Sequence, residues 1–399
     1  MPPQDCKTSA SMPAATSSDS RGPDSLRPDS AGPDSAGTGR TPIVWLLMSD
    51  KTGDNAQLQV VADALPWPSL AKRVQVRPEF ADAKPRVAAS VHHVDLAKSD
   101  PLKAPWPDLI ITIGRRMSMV ALWVQMQSQG RTKIALIGPP KRLLDRFDLA
   151  VASVQYRLPA RSNLLRINFP LQRIDRAAIA AETEAWRGEL GSLRRPLIAV
   201  MVGGRTKAVR FDEEVARQLA AGVIDLATRE RGTLIVTTSR RTPDAVIAVL
   251  EQMLPPGSIL HRWTPGGARN PYRALLGLAD RFVVTSDSVS MLMEIGRLGK
   301  PLAIYPLPLS SWLGAGFLAG AAQKLLPRAV ARRLRRTIAE LGARLGAIGH
   351  DRDLTAIHRL MIKEGHAVWF GDPFRLDNRP LPDELGAVVA RVRALMERG

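Results

Sequence analysis

An apolar strand that runs straight into small hydroxylated residues and then a helix is a place where phosphate chemistry can be done. Residues 281–305, RFVVTSDSVSMLMEIGRLGKPLAIY, have that order of residue types. The β-branched run ends in Thr285-Ser286-Asp287-Ser288-Val289-Ser290, and a second apolar run closes the unit. The pattern predicts strand, loop, helix, strand, with the helix starting near Asp287. Amides at such a start, from Ser288 to Ser290, carry partial positive charge and suit a diphosphate. Glu294 follows about two turns along, where a carboxylate could accept hydrogen bonds from ribose hydroxyls. These residues point to a nucleotide or nucleotide-sugar. The same Ser and Asp types also serve as plain helix caps, a reading that needs no ligand.

Two further loops carry glycine, hydroxyls and cations. Gly203-Gly204-Arg205-Thr206 follows the apolar run 197–202; glycine permits close backbone approach, and Arg205 or Lys207 could meet a phosphate. The spacing is neither that of a P-loop nor GxGxxG, and paired glycines after a strand are also ordinary turn chemistry. Thr237-Thr238-Ser239-Arg240-Arg241-Thr242-Pro243 ends the next apolar run, with Thr242 also suited to cap a helix. If the strands are parallel, the loops after Val202, Thr237 and Thr285 meet at one sheet edge, where open α/β sheets bind ligands. The candidate binding residues are thus Gly203, Gly204, Arg205, Thr237, Ser239, Arg240, Thr285, Asp287, Ser288, Ser290 and Glu294.

In the first half, Ser49-Asp50-Lys51-Thr52-Gly53-Asp54-Asn55 occupies the corresponding loop after an apolar run. Asp50 or Asp54 could act as general base on an acceptor hydroxyl, and Asp54 equally reads as a cap beside a glycine turn. Gly114-Arg115-Arg116 could add cations at the same cleft or simply be solvated. The six histidines show no ligand spacing, so no metal is expected. GxSxG is absent, and the single cysteine, Cys6, lies in a polar leader. No cofactor is expected, a nucleotide-sugar being a co-substrate.

The elements that must position these loops alternate. Apolar strands are expected at 43–48, 73–77, 109–113, 133–137, 148–151 and 164–167, then at 197–202, 233–237, 258–261, 282–285 and 302–305. Helices lie between them, among them 56–65, 116–127 and 173–190. This rhythm implies parallel sheets covered on both faces. With 399 residues, 45% of them hydrophobic, the chain can bury two cores. The expectation is an α/β protein of two Rossmann-like doubly wound domains facing a cleft, 41–190 and 197–345. Residues 1–40 form a polar disordered leader, and C-terminal helices within 346–399 pack across both domains.

The formal charge of +18 implies attraction to polyanions. Aromatic residues are only 5%, and no recognition-helix or RNP-like signature occurs, so specific nucleic-acid reading is disfavoured. The start lacks an apolar h-region, and the longest apolar stretches fall short of the roughly 20 residues of a spanning helix. A cytoplasmic protein is expected, with peripheral contact to an anionic membrane surface as an open alternative. Arg328, Arg332, Arg333, Arg335 and Arg336, interleaved with Leu325, Leu326, Val330, Leu334 and Ile338, would form a basic amphipathic helix suited to that contact or to simple solvation.

With these pieces in order, the chain resembles the mitochondrial-fission (elongated-mitochondria) family of plants and its bacterial relatives. The marks are WLLMSDKTGDNAQ at 45–57, ITIGRR at 111–116, VMVGGRTK at 200–207, TTSRRTP at 237–243, NPYRALLGLAD at 270–280, VTSDSVSMLMEI at 284–295 and GKPLAIYPL at 299–307. That family in turn looks like GT-B glycosyltransferases. The resemblance implies a nucleotide-sugar held mainly by the second domain, Gly204 bordering the donor phosphates, Ser288 to Ser290 at the diphosphate helix, and Glu294 on the ribose. The first-domain loop SDKTGDN departs from the glycine- and histidine-rich version of many transferases. A non-catalytic membrane-peripheral adaptor recruiting fission, division or envelope factors is the alternative function.

Overall fold

A computed structural model describes residues 40–81, 87–140, 144–156, 158–206, 209–266, 269–309 and 353–397. The expected leader and the basic stretch around 328–338 lie outside the described residues.

The first sheet holds β1 (Val44–Met48), β2 (Ser69–Arg73), β3 (Leu109–Ile113), β4 (Lys133–Ile137), β5 (Leu149–Ser153) and β6 (Leu164–Ile167), in the order β2-β1-β3-β4-β5-β6. The second holds β7 (Leu197–Met201), β8 (Thr233–Thr237), β9 (Ile259–His261), β10 (Arg281–Thr285), β11 (Leu302–Tyr305) and β12 (Val368–Trp369), in the order β12-β11-β10-β7-β8-β9. All these pairings are parallel. Both sheets are doubly wound, and in each the strand order reverses once: between β1 and β3 in the first, between β7 and β10 in the second. Ligands of open α/β sheets sit at such a reversal, beyond the carboxyl ends of the strands.

The strands read as unbroken apolar runs because helices cover both faces. In β7, Leu197, Ala199 and Met201 enter one core while Ile198 and Val200 enter the other. In β1, Val44 and Leu46 face one way, Trp45 and Leu47 the other. The covering helices are α1 (Thr52–Asp63), α2 (Arg115–Gln127), α3 (Arg176–Leu190), α4 (Glu213–Glu230), α5 (Asp244–Met253), α6 (Tyr272–Leu278) and α7 (Val289–Arg297). Asp175 and Asp212 cap α3 and α4 by accepting from the amides of Ala178 and Val215.

The chain then adds α8 (Leu354–Lys363) and α9 (Leu385–Glu397). Ile357 and Met361 of α8 sink into a core of the second sheet, whereas Val388 and Val392 of α9 enter a core of the first. The C-terminal helices therefore pack on both sheets, as expected.

One strand is displaced from its expected place. The alternation at 73–77 suggests a strand, but β2 is Ser69–Arg73, which lacks that alternation. Its leading residues are exposed at the sheet edge, so it lacks the two-sided burial that gives the central strands their apolar runs. Val76 instead bridges Val94 antiparallel, and the Arg77 amide donates to the His93 carbonyl.

Candidate functional site

The three loops at the second sheet's reversal are tied to one another. The Gly203 amide donates to Thr285 Oγ1 at 2.8 Å, and the Gly204 amide to Asp287 Oδ2 at 2.7 Å. Thr285 Oγ1 donates to Asp287 Oδ1 at 2.7 Å. From the β8 loop, Thr242 Oγ1 donates to the Gly203 carbonyl at 2.6 Å, and the Arg241 carbonyl accepts from the Arg205 amide at 3.0 Å.

The glycines are required by this packing. A Cβ at Gly203 would fall inside the Asp287 carboxylate, and one at Gly204 inside the backbone and Cβ of Arg241. The close approach of these two residues is to the chain's own side chains and backbone, and their amides are spent internally. Asp287 is likewise turned inward: it is 5% exposed. Burial raises its pKa against the opposing pull of its hydrogen bonds from Thr285 and Gly204.

Two expected hydroxyls are spent in the same way. Thr237 is buried, with Oγ1 donating to the sulfur of Met201 at 3.1 Å, and Thr285 is fully buried in the network above. Ser239 closes its own loop: its amide donates to Thr242 Oγ1 at 2.8 Å. Arg205, Arg240 and Arg241 are exposed.

Because Asp287 points to Gly204, it does not fold over the start of α7. Ser288, at the cap position, makes no side-chain capping bond either. Among the described residues, neither side chain that usually caps a helix, Asp287 or Ser288, meets the first-turn amides of α7, and Ser290 on that turn is exposed. This helix start, and not the glycine pair, is where the loops leave backbone donors for an anion.

Glu294, farther along α7, is half-buried and has both carboxylate oxygens engaged. Oε1 accepts from Gln172 Nε2 and Oε2 from the Tyr272 hydroxyl. Burial raises the Glu294 pKa, opposed by the Tyr272 hydrogen bond, the charge of Arg273 and the Gln172 hydrogen bond. Tyr272, half-buried and facing that carboxylate, is pushed well above the ordinary phenol range by desolvation and by the Glu294 charge, and holds its proton. Gln172 reaches Glu294 from the connector between β6 and α3, 122 residues away.

At the first sheet's reversal, Asn55 braces the β1 loop. Its side chain accepts from the Ser49 amide at 3.1 Å and donates to the Ser49 carbonyl at 2.7 Å. Asp50 is exposed, and Asp54 lies half-buried in the first turn of α1. A Cβ on Gly114, whose φ is +84°, would stand 3.8 Å from Asp54 Oδ2, so the β1 and β3 loops meet. Arg116 is spent on the carbonyls of Phe80 and Ala81. The candidate residues therefore form two groups, with Asp50 and Asp54 on the first sheet and the rest on the second.

Three residues escaped the sequence reading. Tyr272 was visible only as the aromatic of NPYRALLGLAD, and no local signal could join Gln172 to Glu294. The third, His358 of α8, is 3% exposed and hydrogen-bonds the backbone of Ser286 in the β10 loop. Its Nε2 is buried without a hydrogen-bond partner among the described residues, and Trp369 packs edge-on 6.1 Å away. Burial lowers its pKa to about 4, so the ring is neutral.

Among the described residues no group of three or more His, Cys, Asp and Glu side chains is placed to hold a metal ion. None of their helices is long and apolar enough to cross a membrane.

Comparison with known proteins places the chain. The mitochondrial fission protein ELM1 of Arabidopsis thaliana is 26% identical over 234 residues, which cover 53% of this chain and 54% of the plant protein. The chain thus matches about half of that relative's length. The uncharacterized protein RP120 of Rickettsia prowazekii is 22% identical over 299 residues, covering 66% of this chain and 83% of RP120. Among solved structures, the UDP-GlcNAc 2-epimerase of Methanocaldococcus jannaschii superposes with a TM-score of 0.46 at 10% identity, covering 89% of this chain and 99% of the epimerase. Residues 52–344 match the family model described as Mitochondrial fission ELM1, and the chain belongs to that family.

Proposed function

We propose that this protein binds a nucleotide-sugar at the strand-order reversal of its second sheet and transfers the sugar, without a metal ion, to an acceptor held against the first. One observation carries the reading: the uncapped start of α7 lies at that reversal, beside the loops bearing Arg205, Arg240 and Arg241, with Glu294 farther along the same helix. The diphosphate would lie on the first-turn amides, including Ser290, with Arg205 and Arg240 as counter-charges and Glu294 on the ribose. In the transfer, the acceptor hydroxyl gives its proton to the Asp50 carboxylate while its oxygen bonds to the anomeric carbon. The bond from that carbon to the diphosphate breaks with the electron pair leaving on phosphate. The α7 start and the arginines stabilise that developing charge.

A thermal-shift screen of nucleoside diphosphates and nucleotide-sugars tests the reading, because a ligand that binds only the folded chain raises its apparent stability. The expected result is a shift confined to one base or sugar class, abolished by Glu294→Ala. A flat response to uridine, guanosine, cytidine, adenosine and thymidine species would sink it.

Membership of the fission family supports a second reading, a non-catalytic adaptor at a membrane surface, and so does the internal use of the Gly203, Gly204 and Glu294 groups. It predicts binding to anionic vesicles that weakens with salt. Binding indifferent to salt and to lipid charge would remove it.

A further inference from the structure

The connector between the two sheets is fixed at several points. The Glu384 carboxylate, just before α9, accepts from the amides of Asn168 and Phe169. Phe169 is buried in a core of the second sheet, and Leu171, two residues on, in a core of the first. Gln172 follows at once and donates to Glu294. One turn along α7, Arg297 lies 3.8 Å from Asp383, next to the residue that holds the connector. The face of α7 carrying Glu294 and Arg297 therefore reads the connector, while the start of the same helix faces the loops of the candidate site.

Each Glu294 oxygen already accepts one hydrogen bond, from Gln172 or from Tyr272, so a ribose that gives its hydroxyl protons to this carboxylate competes with them. The two are not equal competitors. Tyr272 starts α6 of the second sheet, so its ring is held on a helix packed in the same core as α7, and its proton is held firmly. Gln172 sits on a connector, half-buried, on a flexible side chain, and can yield. We propose that Gln172 is an affinity-determining residue that occupies the ribose-binding oxygen of Glu294 in the empty protein, so that a ribonucleotide must displace it and thereby release the connector from α7. This rests on the nucleotide reading above and deepens it: the empty site is satisfied by a group from the connector, and binding is coupled to the joint between the sheets.

The test is calorimetric titration of the full chain, wild type, Gln172→Ala and Gln172→Met, with uridine and guanosine diphosphates and with inorganic pyrophosphate. Methionine keeps the side-chain length while removing the donor, and thermal melts report folding of each variant. The expected result is a ribonucleoside diphosphate bound about tenfold more tightly by both variants, as loss of a competing hydrogen bond to a carboxylate implies. Pyrophosphate, which reaches only the start of α7, should bind all three alike. Unchanged or weaker nucleotide affinity in folded variants overturns the role of Gln172 and leaves the nucleotide reading standing. Absence of nucleotide binding in all three proteins overturns both.

Discussion

Asp287 separates a brace from a ligand contact, and the two roles give opposite results on mutation. In Asp287→Ala the buried Gly204 amide loses its acceptor, a cost of roughly 1–3 kcal/mol, and Thr285 loses a bond to a charged group, roughly 1.5–3 kcal/mol. Part returns, because burial already penalises this carboxylate, as its raised pKa indicates. The net expectation is a loss of about 2–3 kcal/mol. Asp287→Asn keeps one acceptor and turns an amide NH2 toward the other donor, so about half that loss is expected. Urea unfolding reads this as a lower midpoint at unchanged slope. Gly203 supplies the internal control. The three atoms nearest its added Cβ all belong to the Asp287 carboxyl group, and it is not among the glycines with positive φ, so alanine suits its backbone. Gly203→Ala alone should cost about 2 kcal/mol by overpacking, and clearly less in the Asp287→Ala background. If Asp287→Ala unfolds like the wild type yet loses affinity for nucleoside diphosphates, the carboxylate faces the ligand and the reasoning here is wrong.

Gly204→Ala should be worse than Gly203→Ala in every background, because its Cβ meets the backbone of Arg241, which cannot swing aside; expression and melting temperature check this. His358 is neutral in the folded chain, with a pKa lowered to about 4 from 6.5. As pH falls through that window the unfolded chain takes up a proton that the native ring refuses. Stability should therefore drop by up to about 3 kcal/mol between pH 6.5 and 4 and not above it, and denaturant titrations of His358→Leu should lack that drop. Glu294 acts with the opposite sign. Burial raises its folded pKa above 4.5, so the native carboxyl keeps its proton longer than the unfolded one, and stability falls as pH rises through the interval. Glu294→Gln should remove that fall.

The apolar strands were legible because helices cover both their faces. The expected runs 109–113, 133–137, 164–167, 233–237 and 302–305 coincide with β3, β4, β6, β8 and β11. Where one side of a strand is open the signal fades, so β2 was misplaced and the two-residue β12, paired with β11 alone, went unseen. The convergence of three loops was legible too, since motif order and parallel strands suffice to imply it. Which groups point outward was not. Asp287 turns inward because two glycines leave room for it, and Gln172 meets Glu294 through a connector fixed at Asn168 and Phe169 by Glu384. Both depend on tertiary packing that no local pattern encodes.

The most direct test is a crystal structure of the chain with a ribonucleoside diphosphate bound. The prediction is a diphosphate on the first-turn amides of α7, ribose hydroxyls on Glu294, and Gln172 moved off it, with Asp287 still bonded to Gly204. A diphosphate lodged at Gly203 and Gly204, or a nucleotide bound away from α7 with the Gln172 contact intact, would contradict it.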